Sequence, residues 1–322
     1  MNDSRIIKVG SIIDIYDIPV FEKHLKVYRE NNIKPKMSAI LTSDDAGSVS
    51  YMKGIARFCK KWNVDFESFT VSNSDELESL IFNLNKSETN GIMVMYPSGF
   101  DKKDTFFMNL VDPEKDLEGL NTANLGYLVQ FEKFRDASGL RKYVIPPTAK
   151  GILYIFKRNY TYFEEHKERF GIYPESQTTN PYQIEGKRIT IINDSLAVGR
   201  SLALMMLNEA ASVQVCHKYT PFEDILKFVS QSDIIVSAVP SSKFVLPTSI
   251  VPENAIVIDI SFEGNFEYPE IIDKVYKIAP RWDLVKKGDR INDITLYRLI
   301  SNLFYLVNLK LNEEILEKIY GE

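Results

Sequence analysis

At 322 residues the chain is long enough for about two domains, each able to close its own core, which excludes a mini-protein or a short recognition module. Hydrophobic residues make up 44%, aromatic 12% and charged 26%, an ordinary globular balance that excludes disorder, collagen and low-complexity arrays. With 39 basic and 44 acidic residues the formal net charge is −5, so nothing drives the chain toward nucleic acid or an anionic membrane, and a small soluble ligand is the expected partner.

Cys59 and Cys216 are too few and too far apart for a disulfide framework or a Cys-rich zinc site; no metal is expected, and a reducing, cytoplasmic setting fits. The first twenty residues show no basic leader followed by an apolar core, and no stretch reaches about 18 apolar residues, so neither export nor membrane insertion is expected.

A helix is expected first, because Val20, Phe21, His24, Leu25, Val27 and Tyr28 recur at three- and four-residue intervals. MSAILTS (37–43) reads as a buried strand, GSVSYMKGIARFCKKW as a helix, VDFESFTV as a strand and SDELESLIFNLN as a helix with Ser74 as its cap. The strand GIMVMYP (91–97) follows, and this alternation is that of a parallel sheet with covering helices. From Ser98 to about Pro147 turn-forming residues separate short apolar pieces, which reads as loop and connection. TAKGILYIFKRN is a helix, and FGIYPESQTTNPYQIEG, without periodicity, a surface loop.

A second domain opens at the strand GKRITIIND, continues through the helix VGRSLALMMLNEAA and the strand SVQVCHKY, and after the helix PFEDILKFVSQ adds the strands DIIVSAVP and NAIVIDISF. Four apolar strands with intervening segments predict a parallel sheet with right-handed crossovers. The closing DITLYRLISNLFYLVNLKLNEEILEKIY reads as one long docking helix. The expected fold is α/β with two domains, residues 1–148 and 149–290, and residues 291–322 returning to the first.

Parallel sheets take ligands beyond the carboxyl ends of their strands. The turn after ITII, Asn193 to Arg200, leads into a helix whose first amides can face a pyrophosphate, although its single glycine does not match the G-x-G-x-x-G fingerprint. The strings SVSY, GIMVMYP, DPEKDLEGLN, IPPTAKG, IINDSLAVGR, VQVCHKYT, DIIVSAVP and AIVIDISF, in this order over residues 35–305, resemble the methylenetetrahydrofolate dehydrogenase/cyclohydrolase family.

The resemblance implies a folate-binding amino-terminal domain, a Rossmann-type NAD-binding domain, a role in one-carbon metabolism and a homodimer. It implies that Tyr51 packs against the folate, with Ser48 at the family's serine position and Met95 and Thr148 near the substrate. Where the family has a lysine four residues after the tyrosine, serving the cyclohydrolase step, this chain has Ile55. Lys53 lies about 200° round a helix from Tyr51, against about 40° for a residue four positions on, so it cannot simply replace that lysine. Met95 stands for the family's usual glutamine, and Glu118 for the second acid of K-D-V-D-G. Together these departures are similar to the monofunctional, NAD-dependent branch of the family, with Tyr51 and Glu118 as its catalytic pair. A bifunctional NADP enzyme and a ligand-binding protein without turnover are the alternatives.

On the resemblance Asp194, Ser195, Val198, Gly199 and Arg200 hold the dinucleotide, with Val239 and Pro240 beneath its adenosine or ribose. Asp194, at an arginine position of NADP-using relatives, would repel a 2′-phosphate and favours NAD, whereas Lys218 could pair with that phosphate. His217 can contact adenosine or serve structure, Cys216 can line the crevice or fill the core, and Asp259 and Ser261 can bond the nicotinamide side or cap the turn. Thr295 sits at the family's threonine, but P-C-T-P is replaced by Pro146-Pro147-Thr148-Ala149, and RWDLVKKGDRIND replaces the glycine- and proline-rich loop after Pro280.

Overall fold

The computed structural model describes residues 3–166 and 180–321. The chain divides into two compact units, one of Asp17–Pro147 with Leu296–Glu322, the other of Met1–Tyr16 with Thr148–Thr295. The first sixteen residues, assigned by the sequence reading to the first domain, therefore belong with the second. The reason is local: the Ile7 amide donates to the Ile278 carbonyl at 2.8 Å and Ile6 enters the second unit's core, covering what would otherwise be an open sheet edge.

In the first unit β1 (Lys36–Leu41), β2 (Asp65–Thr70) and β3 (Gly91–Val94) form a parallel sheet in the order β2-β1-β3. Helices Ala46–Lys61 and Ser74–Lys86 make the crossovers. Leu77, Ile81 and Leu84, spaced on one helical face, pack on Ile40, Ile92 and Val94 of the sheet, and each such side chain contributes about 1.5–3 kcal/mol by leaving water. The cap of this helix is Asn73, not Ser74: extended backbone at Asn73 lets its side chain accept from the Glu76 amide at 2.9 Å, while the Ser74 hydroxyl donates to Asp101.

The expected connection of residues 98–147 contains two helices, Asp104–Leu110 and Thr122–Val129, the second capped by Asn121. They are too short to show periodicity. The expected closing helix is two, Ile291–Asn308 and Glu313–Tyr320, because Asn312 caps a new start by accepting from the Ile315 amide at 3.0 Å. From Leu296 onward these residues pack in the first unit: Phe304 lies 5.0 Å from Phe21, and the Tyr28 hydroxyl donates to Asn308 at 2.6 Å. Asp17 and Arg298 form an ion pair there, both buried.

The second unit contains β4 (Arg188–Ile192), β5 (Ser212–Cys216), β6 (Ile234–Ser237), β7 (Ile256–Asp259) and β8 (Lys277–Ala279), all parallel, in the order β5-β4-β6-β7-β8. The fifth strand, only three residues long, lacks the apolar run that revealed the others. Residues 170–179 of the expected surface loop lie outside the described residues; at its end Asn180 donates to the Glu164 carboxylate at 2.8 Å. No helix among the described residues is long and apolar enough to cross a membrane.

Asn302, fully buried, holds the site-bearing segments of the first unit in place by donating to the carbonyls of Leu117 and Ile145, each at 2.9 Å. Replacing Asn302 by Ala leaves both acceptors buried without this donor, and urea unfolding is expected to show a loss of about 2–3 kcal/mol.

Candidate active site

In the first unit the sheet order changes direction between β1 and β3, and ligands of parallel sheets collect beyond the carboxyl ends at such a point. The two strand ends are tied there, the Thr42 hydroxyl donating to the Met95 carbonyl at 2.5 Å. Asp45 opens the following helix by accepting from the Ser48 amide at 3.0 Å, and hydrogen bonds from the Ser48 side chain and backbone lower its carboxyl to about 2. Ser48 is thus engaged in the cap that orients Tyr51 one turn later. Ile55, 1% exposed, continues that helix into the core, and Lys53 is exposed.

Glu118 reaches this site along the free edge of β3, where the Ile92 amide donates to the Lys115 carbonyl at 2.7 Å and the Leu117 amide to the Ile92 carbonyl at 3.1 Å. The turn that carries it is built round Asp116, whose buried carboxylate accepts from the Asn121 amide at 2.8 Å, the Asn124 side chain at 3.0 Å and the Glu118 amide at 3.2 Å. Gly119 completes the turn in the left-handed region at φ +64, where a Cβ would come within 2.9 Å of the Ile145 backbone.

Burial pushes the Glu118 carboxyl from its ordinary 4.5 up to about 8, the Asp116 carboxylate adds to the push, and a hydrogen bond with the Val94 backbone opposes it. No lysine or arginine among the described residues figures in that balance. Tyr51, half-buried, is also raised, by burial and then by Glu118, so the two lie within electrostatic reach. Tyr96 escaped the sequence reading: its hydroxyl is buried without a hydrogen-bond partner among the described residues, and burial followed by the Glu118, Asp116 and Asp104 carboxylates raises it. A tyrosine directly before the proline that follows β3, at Pro97, was the available signal.

In the second unit the order changes direction between β4 and β6. Asn193 organises the turn there, its side-chain oxygen accepting from the amides of Ser195 and Gly199, each at 3.0 Å, and its nitrogen donating to the Ala238 carbonyl at 3.0 Å. A Cβ at Gly199 would lie 1.8 Å from the Asn193 carbonyl oxygen, so only glycine lets the helix start pack this closely on the strand end. That cradle fits a dinucleotide: it is the close helix–strand approach on which pyrophosphate binding at a helix start depends.

The structure gathers Asp194, Ser195, Val198, Gly199 and Arg200 on one side of the switch point and Val239 and Pro240 on the other, with His217 and Lys218 exposed beyond neighbouring β5. Arg200 lies 3.5 Å from Asp194. The His217 ring accepts from the Tyr219 amide at 3.1 Å.

Asp259 and Ser261, beyond β7, build a turn. The Asp259 carboxylate accepts from the Ser261 hydroxyl at 2.5 Å, the Asn265 amide at 3.0 Å and the Tyr268 hydroxyl at 2.9 Å, while the Ser261 oxygen accepts from the Gly264 amide at 3.0 Å. Cys216 is in the core, and the Thr295 hydroxyl donates to the Ile291 carbonyl at 3.0 Å. Thr148, expected near the substrate, falls at the start of the second unit's main segment. Among the described residues no group of three or more His, Cys, Asp or Glu converges to hold a metal.

Residues 19–118 match the model of the tetrahydrofolate dehydrogenase/cyclohydrolase catalytic domain, and residues 176–288 that of the family's NAD(P)-binding domain. The chain belongs to the tetrahydrofolate dehydrogenase/cyclohydrolase family. It is 31% identical over 293 residues to the bifunctional protein FolD of Clostridium tetani, covering 88% of this chain and 89% of that one. It is 30% identical over 298 residues to the methylenetetrahydrofolate dehydrogenase [NAD(+)] of Dictyostelium discoideum, covering 87% and 88%. The solved NAD-dependent 5,10-methylenetetrahydrofolate dehydrogenase of Saccharomyces cerevisiae shares the fold with a TM-score of 0.75 at 23% identity, covering 95% of this chain and 97% of that one.

Because Glu118 holds its proton more tightly folded than unfolded, its contribution to stability is complete below about pH 4.5 and is lost as pH rises through about 8. Denaturation midpoints measured across that window are expected to fall with pH more steeply for the native chain than for Glu118→Gln. Parallel profiles would contradict the raised carboxyl.

Proposed function

We propose that the chain oxidises 5,10-methylenetetrahydrofolate to 5,10-methenyltetrahydrofolate with NAD as the hydride acceptor and leaves the methenyl product unhydrolysed. The observation that carries this reading is the buried, apolar Ile55 one helical turn from Tyr51, beside a carboxyl group that no cation offsets. A flanking nitrogen lone pair of the substrate expels the hydride, so the protein's task in oxidation is to hold two rings together, and no strong base is needed. Hydrolysis needs a positioned group to activate water and move protons, and an isoleucine supplies none.

When bound, NAD supplies the hydride-accepting nicotinamide. In this reading the chain's own residues bind and orient. Tyr51 packs its ring on the flat part of the folate. Glu118, protonated at neutral pH, donates a hydrogen bond to the pteridine without placing a full negative charge against it. Met95 and Ile55 keep water from the cation. The Asn193–Arg200 turn holds the pyrophosphate, with Gly199 allowing the close approach.

Asp194 favours NAD by repelling a 2′-phosphate. The observation on the side of NADP is Arg200, 3.5 Å from Asp194, with Lys218 exposed beyond the next strand. Both members of the Asp194–Arg200 pair are solvent-exposed, 48% and 61% at their side chains, so solvent weakens the pairing and the repulsion of a phosphate by Asp194 alike, and the cofactor assay below decides between them. A homodimer formed through the second units belongs to this reading, and the edge strand β5, with Val215 37% exposed, is compatible with it.

The test supplies purified protein with 5,10-methylenetetrahydrofolate and either NAD or NADP while recording reduced nicotinamide and methenyl product separately. Turnover at least tenfold more efficient with NAD, and methenyl decay no faster than in buffer, are expected. Enzyme-dependent decay would overturn the monofunctional reading, and a preference for NADP the cofactor assignment.

A further inference from the structure

Tyr96 has no task in the reaction proposed above. Its ring packs against the core cluster that contains Val94, Leu77 and Phe107, and its hydroxyl is buried without a hydrogen-bond partner among the described residues. A buried hydroxyl in that state costs about 1–3 kcal/mol, and a group kept at that cost beside a site calls for a function.

The register along the free edge of β3 shows which group it faces. The parallel bridge between Ile92 and Asp116 sets Glu118 beside Val94, whose backbone bonds the Glu118 carboxylate. Residues paired in a parallel ladder share a face, and so do residues two apart along one strand. Val94, Tyr96, Asp116 and Glu118 therefore lie on one face. Tyr96 stands two residues along and one strand across from Glu118, a diagonal of about 8 Å at the backbone, which an aromatic and a long side chain close between them.

Three carboxylates surround the Tyr96 hydroxyl: Glu118, Asp116 and, from helix Asp104–Leu110, Asp104. Two of them are already engaged. Asp116 accepts from the Glu118 and Asn121 amides and the Asn124 side chain, and Asp104 from the Ser98 amide at 3.0 Å and the Ser98 hydroxyl at 2.5 Å. Among the described residues the Glu118 carboxyl group has the Val94 backbone alone. The other titratable groups that face it are Asp116, from its own turn, and Tyr51, from helix Ala46–Lys61, whose ring the proposed reaction assigns to the folate. The acceptor with room and the unused donor are thus Glu118 and Tyr96.

We propose that Tyr96 is a positioning residue for Glu118: its hydroxyl joins the Val94 amide in donating to the inner carboxyl oxygen, which keeps the proton of the neutral acid on the outer oxygen, the one a ligand meets. This rests on the reading of the first unit's site as the place where 5,10-methylenetetrahydrofolate is held. A neutral carboxyl group has one O–H donor, and the donors around it decide which oxygen carries that proton. Without the phenol the proton can sit on either oxygen, and the group meets a ligand acceptor with its own acceptor part of the time. The phenol also favours the ionised form, so it restrains the rise that burial and Asp116 impose on Glu118.

The test is Tyr96→Phe in the full chain, which removes the hydroxyl and keeps the ring in the core. Carbon-13 signals of labelled glutamate carboxyls follow Glu118, and steady-state rates with NAD follow turnover. Glu118 is expected to bind its proton about three- to tenfold more tightly in the variant, its titration moving up by about half to one pH unit. KM for 5,10-methylenetetrahydrofolate is expected to rise about three- to tenfold, with KM for NAD unchanged. In a Glu118→Ala background the same change is expected to add nothing to the loss of tetrahydrofolate binding, because its partner is gone. A hydroxyl with a merely structural role would alter the denaturation midpoint and leave the Glu118 titration in place. A titration that stays or moves down, a folate KM that does not rise, or additive losses in the double variant overturn the proposal, while turnover by the native chain keeps the reading of the function. A native chain that neither turns over nor binds tetrahydrofolate removes both.

Discussion

The constraint on which the first unit's site depends is the burial of one carboxyl group next to another without a cation to offset them. Asp116 can be buried because three donors from its own turn surround it, and that turn then delivers Glu118 to the mouth of the sheet. Burial raises both carboxyls, and at Asp116 the surrounding donors oppose that rise. Where a lysine would have relieved the arrangement and supplied water-activating chemistry, Ile55 extends the core. On the proposed reading, the apolar residue at this position is what leaves the methenyl product unhydrolysed.

The second unit solves a different problem with the same device. The turns beyond its strand ends are built round polar side chains that satisfy several backbone groups: Asn193 after β4, and Asp259 with Asn265 after β7. These residues are spent on shape. Their neighbours, the exposed Asp194 and Ser195 and the aromatic Phe262, are the ones presented to solvent. A turn held this firmly presents its free groups without paying to order them on binding.

Much of this was legible in the sequence because the fold is written in periodicity. Buried parallel strands such as ITII and IIVS are continuous apolar runs, and the helices between them repeat every three or four residues, so both sheets could be read. What escaped had no such period. β8 is three residues long, Thr122–Val129 is two turns, and the break at Asn312 depends on a single cap. The packing of the first residues onto β8 is a contact across more than 270 positions, which no local pattern encodes. Tyr51 and Glu118 were expected from the family resemblance, and the structure puts them within electrostatic reach of each other. The unpartnered Tyr96 hydroxyl and the committed hydrogen bonds of Asp259, Ser261 and Thr295 needed three-dimensional neighbours to be seen.

The most direct test of the central claim is to follow the Glu118 carboxyl itself, by carbon-13 NMR of the protein labelled at glutamate side-chain carboxyls, with Glu118→Gln to assign the signal. The account predicts one resonance that titrates near pH 8 and disappears in the variant. A Glu118 signal that titrates in the ordinary carboxylate range would mean that a cation or additional donors reach it, and would contradict the picture of a buried carboxyl raised beside a second one.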